Sequence, residues 1–180
     1  MVSYVVCIMT TAMPELIVKS PREFSNIEIT AFIAIVRAGG EVSIQGLPER
    51  IRGAAALVFA RIDGLVVGVA ALKQPQASYR RRVSSESGVP LPAEKFPYEL
   101  GWVYVSPESR DKGLSLSLSQ AALAPSKGAG VFATSRTENI AMHRSLAKLG
   151  FVANSLTLHS SGTCPRAGKP LNFTLYDKTL

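Results

Sequence analysis

The chain has 180 residues, 47% of them hydrophobic and 18% charged, enough for one globular domain with a core and too few for two ordinary ones. Lys+Arg number 20 against 13 Asp+Glu, a net charge of +7, which attracts anions without choosing among a cofactor, an acidic protein and a nucleic acid. Cys7 and Cys164 cannot make a disulfide framework, His143 and His159 have no spaced partners for a metal site, and no apolar run reaches the ~18 residues of a membrane span.

A cytoplasmic location fits this cysteine usage. Residues 1–12 are mildly apolar but lack a basic n-region, so they read as a loose N-terminal extension to a single domain over 13–180. Glu15 to Lys19 is short and β-prone, an expected first strand. Ser25-Asn26-Ile27-Glu28 forms a capping box, with Phe24 and Ile29 placed to staple the entry of the helix that follows. Ile29, Phe32, Ile33 and Val36 recur at helical spacing, and Gly39-Gly40 ends the run. A shorter helix is expected from Pro48 to about Arg52.

Ala56 to Ile62 and Leu65 to Leu72 are apolar runs joined by Asp63-Gly64, the dipeptide that suits a two-residue hairpin because both positions need positive φ. Near-continuous apolarity implies cover on both faces and a central place in the sheet. Gln74 to Pro97 reads as a long polar loop bordering the acceptor site or serving as a connector, with Arg80-Arg81-Arg82 as a solvated cluster. No aromatics interleave with these arginines, so a nucleic-acid partner is not expected.

From Tyr98 to Val105 the residues alternate as in a strand, and Ser106-Pro107 stops it. Strict alternation sets Tyr98 and Tyr104 on the face opposite Glu99. The basic turn Arg110-Asp111-Lys112-Gly113-Leu114-Ser115 follows. A strand feeding such a turn, with unpaired backbone N–H groups at the start of a helix, is a natural cradle for a diphosphate. Leu114, Leu116 and Leu118 alternate with serines, a strand-like pattern, whereas Leu114 and Leu118 also share a helical face. Pro125 ends that segment. Val131 to Ser135 reads as a strand. From Asn139, a candidate helix cap, Met142, Leu146 and Leu149 share one helical face, with Gly150 placed to cap the far end. Phe151 to Leu158 and Leu171 to Tyr176 are the expected closing strands, joined by a turn from Ser160 to Pro170.

At these residues the chain resembles the GNAT superfamily of acyl-CoA-dependent N-acetyltransferases, whose signature R/Q-x-x-G-x-G/A follows a strand ending in V-x-P. Arg110, Gly113 and Ser115 occupy the defined positions, with serine departing from the last; Asn139 and the Gly150-Phe151 pair match the family's later helix and strand. The resemblance covers roughly residues 56–158. It implies an α/β (α+β) GNAT-like fold: a central, mixed but mostly antiparallel twisted sheet flanked by helices, with splayed strands at the CoA site. It also decides for a helix over about 113–123.

The same resemblance implies acetyl-CoA as cosubstrate, no metal, an amine-bearing acceptor and direct transfer in a ternary complex, and it admits a homodimer. Backbone groups of Val103 and Val105 are expected to take the pantetheine amides. The turn Arg110, Asp111, Lys112, Gly113, Leu114 and Ser115 is expected to hold the pyrophosphate, with Asn139 on the CoA arm. Glu99 is the expected base, since an ammonium must lose its proton before it can attack a thioester. Many relatives protonate the departing thiolate with a tyrosine; Leu146 holds that position, and His143 would point elsewhere, onto the surface. A catalytically weak or inactive acyl-CoA-binding module is the competing reading. The net charge adds a third, an RNA- or ribosome-directed acetylase.

Overall fold

The computed structural model describes residues 13–40, 42–163 and 170–178, those among 155–173 by their backbone alone. The expected extension over 1–12, and most of the turn after Ser160, lie outside the described residues. Seven strands form one sheet in the order β1-β2-β3-β4-β5-β7-β6. They are β1 (Glu15–Lys19), β2 (Ala56–Ile62), β3 (Leu65–Lys73), β4 (Tyr98–Val105), β5 (Val131–Arg136), β6 (Val152–Thr163) and β7 (Pro170–Lys178). All neighbours run antiparallel except β4 and β5.

Among the described residues five α-helices flank the sheet: α1 (Asn26–Gly39), α2 (Leu47–Arg52), α3 (Ala77–Ser87), α4 (Leu114–Leu123) and α5 (Ile140–Lys148). The expected capping box opens α1, where Ser25 Oγ accepts from Glu28 N at 3.3 Å and Ser25 N donates to Glu28 Oε2 at 2.9 Å. Phe24 and Ile29 are buried together as the staple requires. Asp63 and Gly64 take φ of 50° and 77° in the β2–β3 hairpin. Among the described residues, no helix is long and apolar enough to cross a membrane.

Two main clusters sandwich the sheet. On one face Val58, Ala70, Leu72, Leu100 and Ala133 pack with Leu118 of α4 and Leu146 of α5. On the other, Leu57, Phe59, Val69 and Ala71 pack with Phe32 of α1 and with Leu47 and Ile51 of α2. This two-sided cover is why β2 and β3 are apolar almost throughout.

Three expectations are corrected. The stretch read as a long loop contains α3, and Arg80 is 8% exposed, donating to the carbonyls of Phe96 and Pro97 instead of standing in solvent. Burial lowers its pKa from the usual arginine value. His143 is half-buried, its Nε2 2.8 Å from Arg136 O and its ring 5.5 Å from that of Tyr176. The alternation along β4 breaks at Trp102, where φ is +52° and the register against β3 shifts. That bulge turns Trp102 and Tyr104 onto the same face as Glu99, and puts Val103 and Val105 on the face of Leu100.

Candidate active site

β4 and β5 pair only through Tyr98↔Val131, Glu99↔Phe132 and Leu100↔Ala133. Beyond Leu100 the two strands part, and β4 continues to Val105 paired to β3 alone. Unpaired main-chain polar groups are costly when dry, so this open edge is a ready partner for an extended ligand. A cleft of about 1320 Å³ lies along it. Pockets for one drug-sized ligand run about 300–1000 Å³, so there is room for two substrates.

At the wide end sits the basic turn. Asp111 and Gly113 both have positive φ, 62° and 74°, and Gly113 caps α4 without a side chain. The first bond of the helix is Leu116 N to Gly113 O at 3.0 Å. The N–H groups just before it, on Gly113, Leu114 and Ser115, are therefore left outside the helix ladder. Arg110 Nε folds back onto Val105 O at 3.2 Å, and Lys112 Nζ reaches Glu108 O at 3.5 Å. Ser115 Oγ turns to Met142 Sδ at 3.9 Å, and the Leu114 side chain is buried in the core. Arg136, Arg144 and Lys148 add positive charge to the cleft wall. Asn139 lines it too, its Oδ1 accepting from Met142 N at 3.1 Å as the cap of α5.

At the narrow end Glu99 is 2% exposed. Its carboxylate accepts from Lys73 Nζ at 2.5 Å, from Tyr79 Oη at 2.9 Å and from Thr134 Oγ1 at 3.3 Å. Burial first, then the negative charge of Glu99, hold the Tyr79 phenol well above the ordinary tyrosine pKa, so it stays a donor. The Lys73 ammonium also lies 5.3 Å from the Tyr79 ring centre and 5.2 Å from that of Trp102. Trp102 in turn packs edge-on against Phe32 at 6.3 Å. These contacts hold its left-handed backbone, a conformation that costs roughly 1–3 kcal/mol for such a residue.

All ten expected site residues thus border the cleft or form its turn, but at two ends: Glu99 at the vertex, the 110–115 turn at the mouth, with Val103 and Val105 between. Sequence reasoning missed Lys73, Tyr79, Thr134 and Trp102. One signal was available, because the hairpin and the next strand place Lys73 opposite Glu99 in register, and a carboxylate among apolar residues needs a cation. Among the described residues no group of three or more His, Cys, Asp or Glu side chains is placed to hold a metal ion.

A protein-family model described as the Acetyltransferase (GNAT) family matches residues 25–151. No curated protein matches the sequence. Among solved structures, the chain is similar to ribosomal-protein-alanine N-acetyltransferase from Brucella melitensis, at 21% identity and a TM-score of 0.62, covering 91% of this chain and 99% of that one. It is also similar to NAA60 of Arabidopsis thaliana, solved with a bisubstrate analogue, at 15% identity and a TM-score of 0.66, covering 92% and 99%. The Salmonella typhimurium protein yncA, solved with its cofactor acetyl-CoA, matches at 17% identity and a TM-score of 0.64, covering 92% and 94%. At these identities the neighbours speak for the fold alone. With the family model spanning well over half of its length and a seven-stranded sheet that opens between β4 and β5, the chain belongs to the GNAT acetyltransferase family.

Proposed function

We propose that the chain is an acetyl-CoA-dependent N-acetyltransferase that passes the acetyl group directly to an amine in a ternary complex. The observation that carries this reading is the parting of β4 from β5 beyond Leu100, directly upstream of the 110–115 turn. Pantetheine amides would pair with the free edge of β4 at Val103 and Val105. The pyrophosphate would take the N–H groups of Gly113, Leu114 and Ser115, with Arg110 and Lys112 adding charge and Asp111 shaping the turn. Asn139, already the cap of α5, borders the path of the CoA arm.

The acceptor would enter on the face of Trp102, Tyr104 and Tyr79. Its ammonium loses a proton to Glu99, directly or through one water, and the freed lone pair attacks the thioester carbon. An ionised carboxylate has about four lone-pair sites, and Glu99 uses three, leaving one to take that proton. The tetrahedral intermediate then expels the CoA thiolate. The location that goes with this reading is the cytoplasm.

A second reading, an acyl-CoA-binding module with little turnover, draws on Leu146. It is fully buried and supplies no acid to the leaving group. Thiol release from acetyl-CoA over a panel of amines separates the two, with calorimetry of acetyl-CoA as companion. Binding with amine-dependent release supports the enzyme; binding without release leaves the module; no binding at millimolar acetyl-CoA sinks both.

A further inference from the structure

The vertex of the cleft holds a polar group that the structural role of β5 does not use. Ser135 is 5% exposed, and its Oγ has no hydrogen-bond partner among the described residues, although it lines the cleft. A buried hydroxyl without a partner costs roughly 1–3 kcal/mol, so its presence here asks for a ligand atom.

Its position says which atom. β5 pairs with β7 in unbroken register from Val131 to Arg136, so its side chains alternate strictly. Thr134 faces α3, where it meets Tyr79 and Glu99. Ser135 therefore faces the other way, with Val131 and Ala133, toward Leu118 and Leu146. It stands two residues past Ala133, the last partner of β4, at the place where the strands part. A pantetheine arm entering from the 110–115 turn and running up the free edge of β4 ends at this vertex. At ~3.3 Å per residue, Val105 is about 16 Å from Leu100, the reach of an extended arm. Thr134 then lies on the acceptor side of the reacting carbon and Ser135 on the sulfur side.

We propose that the Ser135 hydroxyl donates a hydrogen bond to the CoA sulfur and holds the departing thiolate, in a chain where Leu146 offers no acid. This rests on the acetyltransferase reading above. When the tetrahedral intermediate collapses, the C–S bond breaks and its electron pair leaves on sulfur. Ser135 keeps its own proton, because a serine hydroxyl is far too weak an acid to protonate a thiolate whose thiol has a pKa near ~8.5. Glu99 already holds the proton taken from the ammonium, so the second proton, shed by the nitrogen as the amide forms, passes to water, and water delivers one to neutralise sulfur. A donor aimed at charge that develops only as the bond breaks acts on kcat.

Titration of the CoA thiol bound to the protein, followed by the ultraviolet absorbance of the thiolate, tests the assignment. In Ser135→Ala the bound thiol is expected to titrate about one pH unit higher than in the wild type. kcat should fall at least roughly tenfold while KM for acetyl-CoA holds. Ser135→Thr, which keeps a hydroxyl, should titrate like the wild type. If the alanine variant does not fold, Ser135→Thr against Ser135→Val, equal in size and differing in the hydroxyl, gives the same comparison. Bound CoA that titrates alike with and without the hydroxyl overturns the Ser135 assignment and leaves the acetyltransferase reading standing. Failure of CoA to bind the wild type overturns both.

Discussion

Lys73 reaches Glu99 by crossing over Gly101. A Cβ at residue 101 would stand 2.8 Å from Lys73 Cδ and 3.4 Å from its Nζ, so a side chain there would push the lysine off the path it now takes to the carboxylate. β3 and β4 set Lys73 opposite Glu99 in register, and the glycine two residues along β4 lets the lysine fold flat against the sheet. The bulge at Trp102 then closes the aromatic side of the same box.

This pair should behave as a unit in stability. Removing one partner of a buried ion pair leaves an uncompensated charge and costs about 3–5 kcal/mol, and Glu99 is nearly wholly enclosed. Lys73→Met is therefore expected to lose stability of that order, whereas Lys73→Met combined with Glu99→Gln should lose clearly less than the two single changes added together. Urea unfolding of the four proteins reads the coupling. Strict additivity would mean that the contact does not hold the vertex together.

Gly113 separates cradle from scaffold. Its φ of +74° strains any other residue, yet a Cβ there meets nothing within 4 Å. The space it would enter is the space proposed for the pyrophosphate. Gly113→Val should cost about 1–2 kcal/mol in backbone strain and leave the fold intact by circular dichroism. Its acetyl-CoA affinity, by calorimetry, should drop at least roughly tenfold, about 1.4 kcal/mol. Unchanged affinity would remove the turn from the cofactor site.

How far the sequence exposed this arrangement depended on what each segment buries. The β2–β3 hairpin was legible because Asp63-Gly64 is a local signal and both strands are apolar on both faces. α1 was legible from its capping box and stripe. α3 was not, because its buried face is Arg80, Val83 and Ser87: the spacing is helical, but an arginine and a serine fill positions where periodicity looks for apolar residues. Arg80 can be there because the Phe96 and Pro97 carbonyls take its donors, a contact made only in three dimensions. The same holds for Trp102. Its positive φ turns the rest of β4 over, and no pattern rule expects a tryptophan to make that turn. The gap between β4 and β5 came from family resemblance, since alternation says what a strand buries and not where its neighbour leaves it.

Tyr79 gives the chain an alkaline signature. Its folded pKa is raised above the unfolded value near ~10, so above that pH the unfolded chain releases a proton that the folded chain keeps. The folded state then binds more protons, and stability falls as pH rises. The contribution is whole below about pH 10 and is lost on the way to the folded pKa. Tyr79→Phe should therefore show a shallower loss of Tm in that alkaline range, while losing roughly 1–2 kcal/mol at neutral pH with the hydrogen bond to Glu99. Parallel alkaline limbs in the two proteins would show that Tyr79 ionises as freely when folded as when unfolded.

In the proposed reaction Glu99 takes the proton of the acceptor amine, and its place decides how a variant should fail. Its carboxylate accepts from Tyr79 of α3 at the vertex, at the other end of β4 from the 110–115 turn that would hold the phosphates. Glu99→Gln keeps the size and an oxygen for Tyr79 and Thr134 but cannot take a proton. As a general base it should contribute about 10²–10⁴ in rate. kcat for thiol release is thus expected to fall by that factor while the calorimetric Kd for acetyl-CoA stays within about threefold, since no cofactor contact is removed. The loss should shrink as the pH is raised toward the acceptor amine's own pKa, where free amine no longer needs a base. A loss of cofactor affinity without loss of kcat would instead make Glu99 the anchor of Lys73 and Tyr79, and the proton would have to leave by another route.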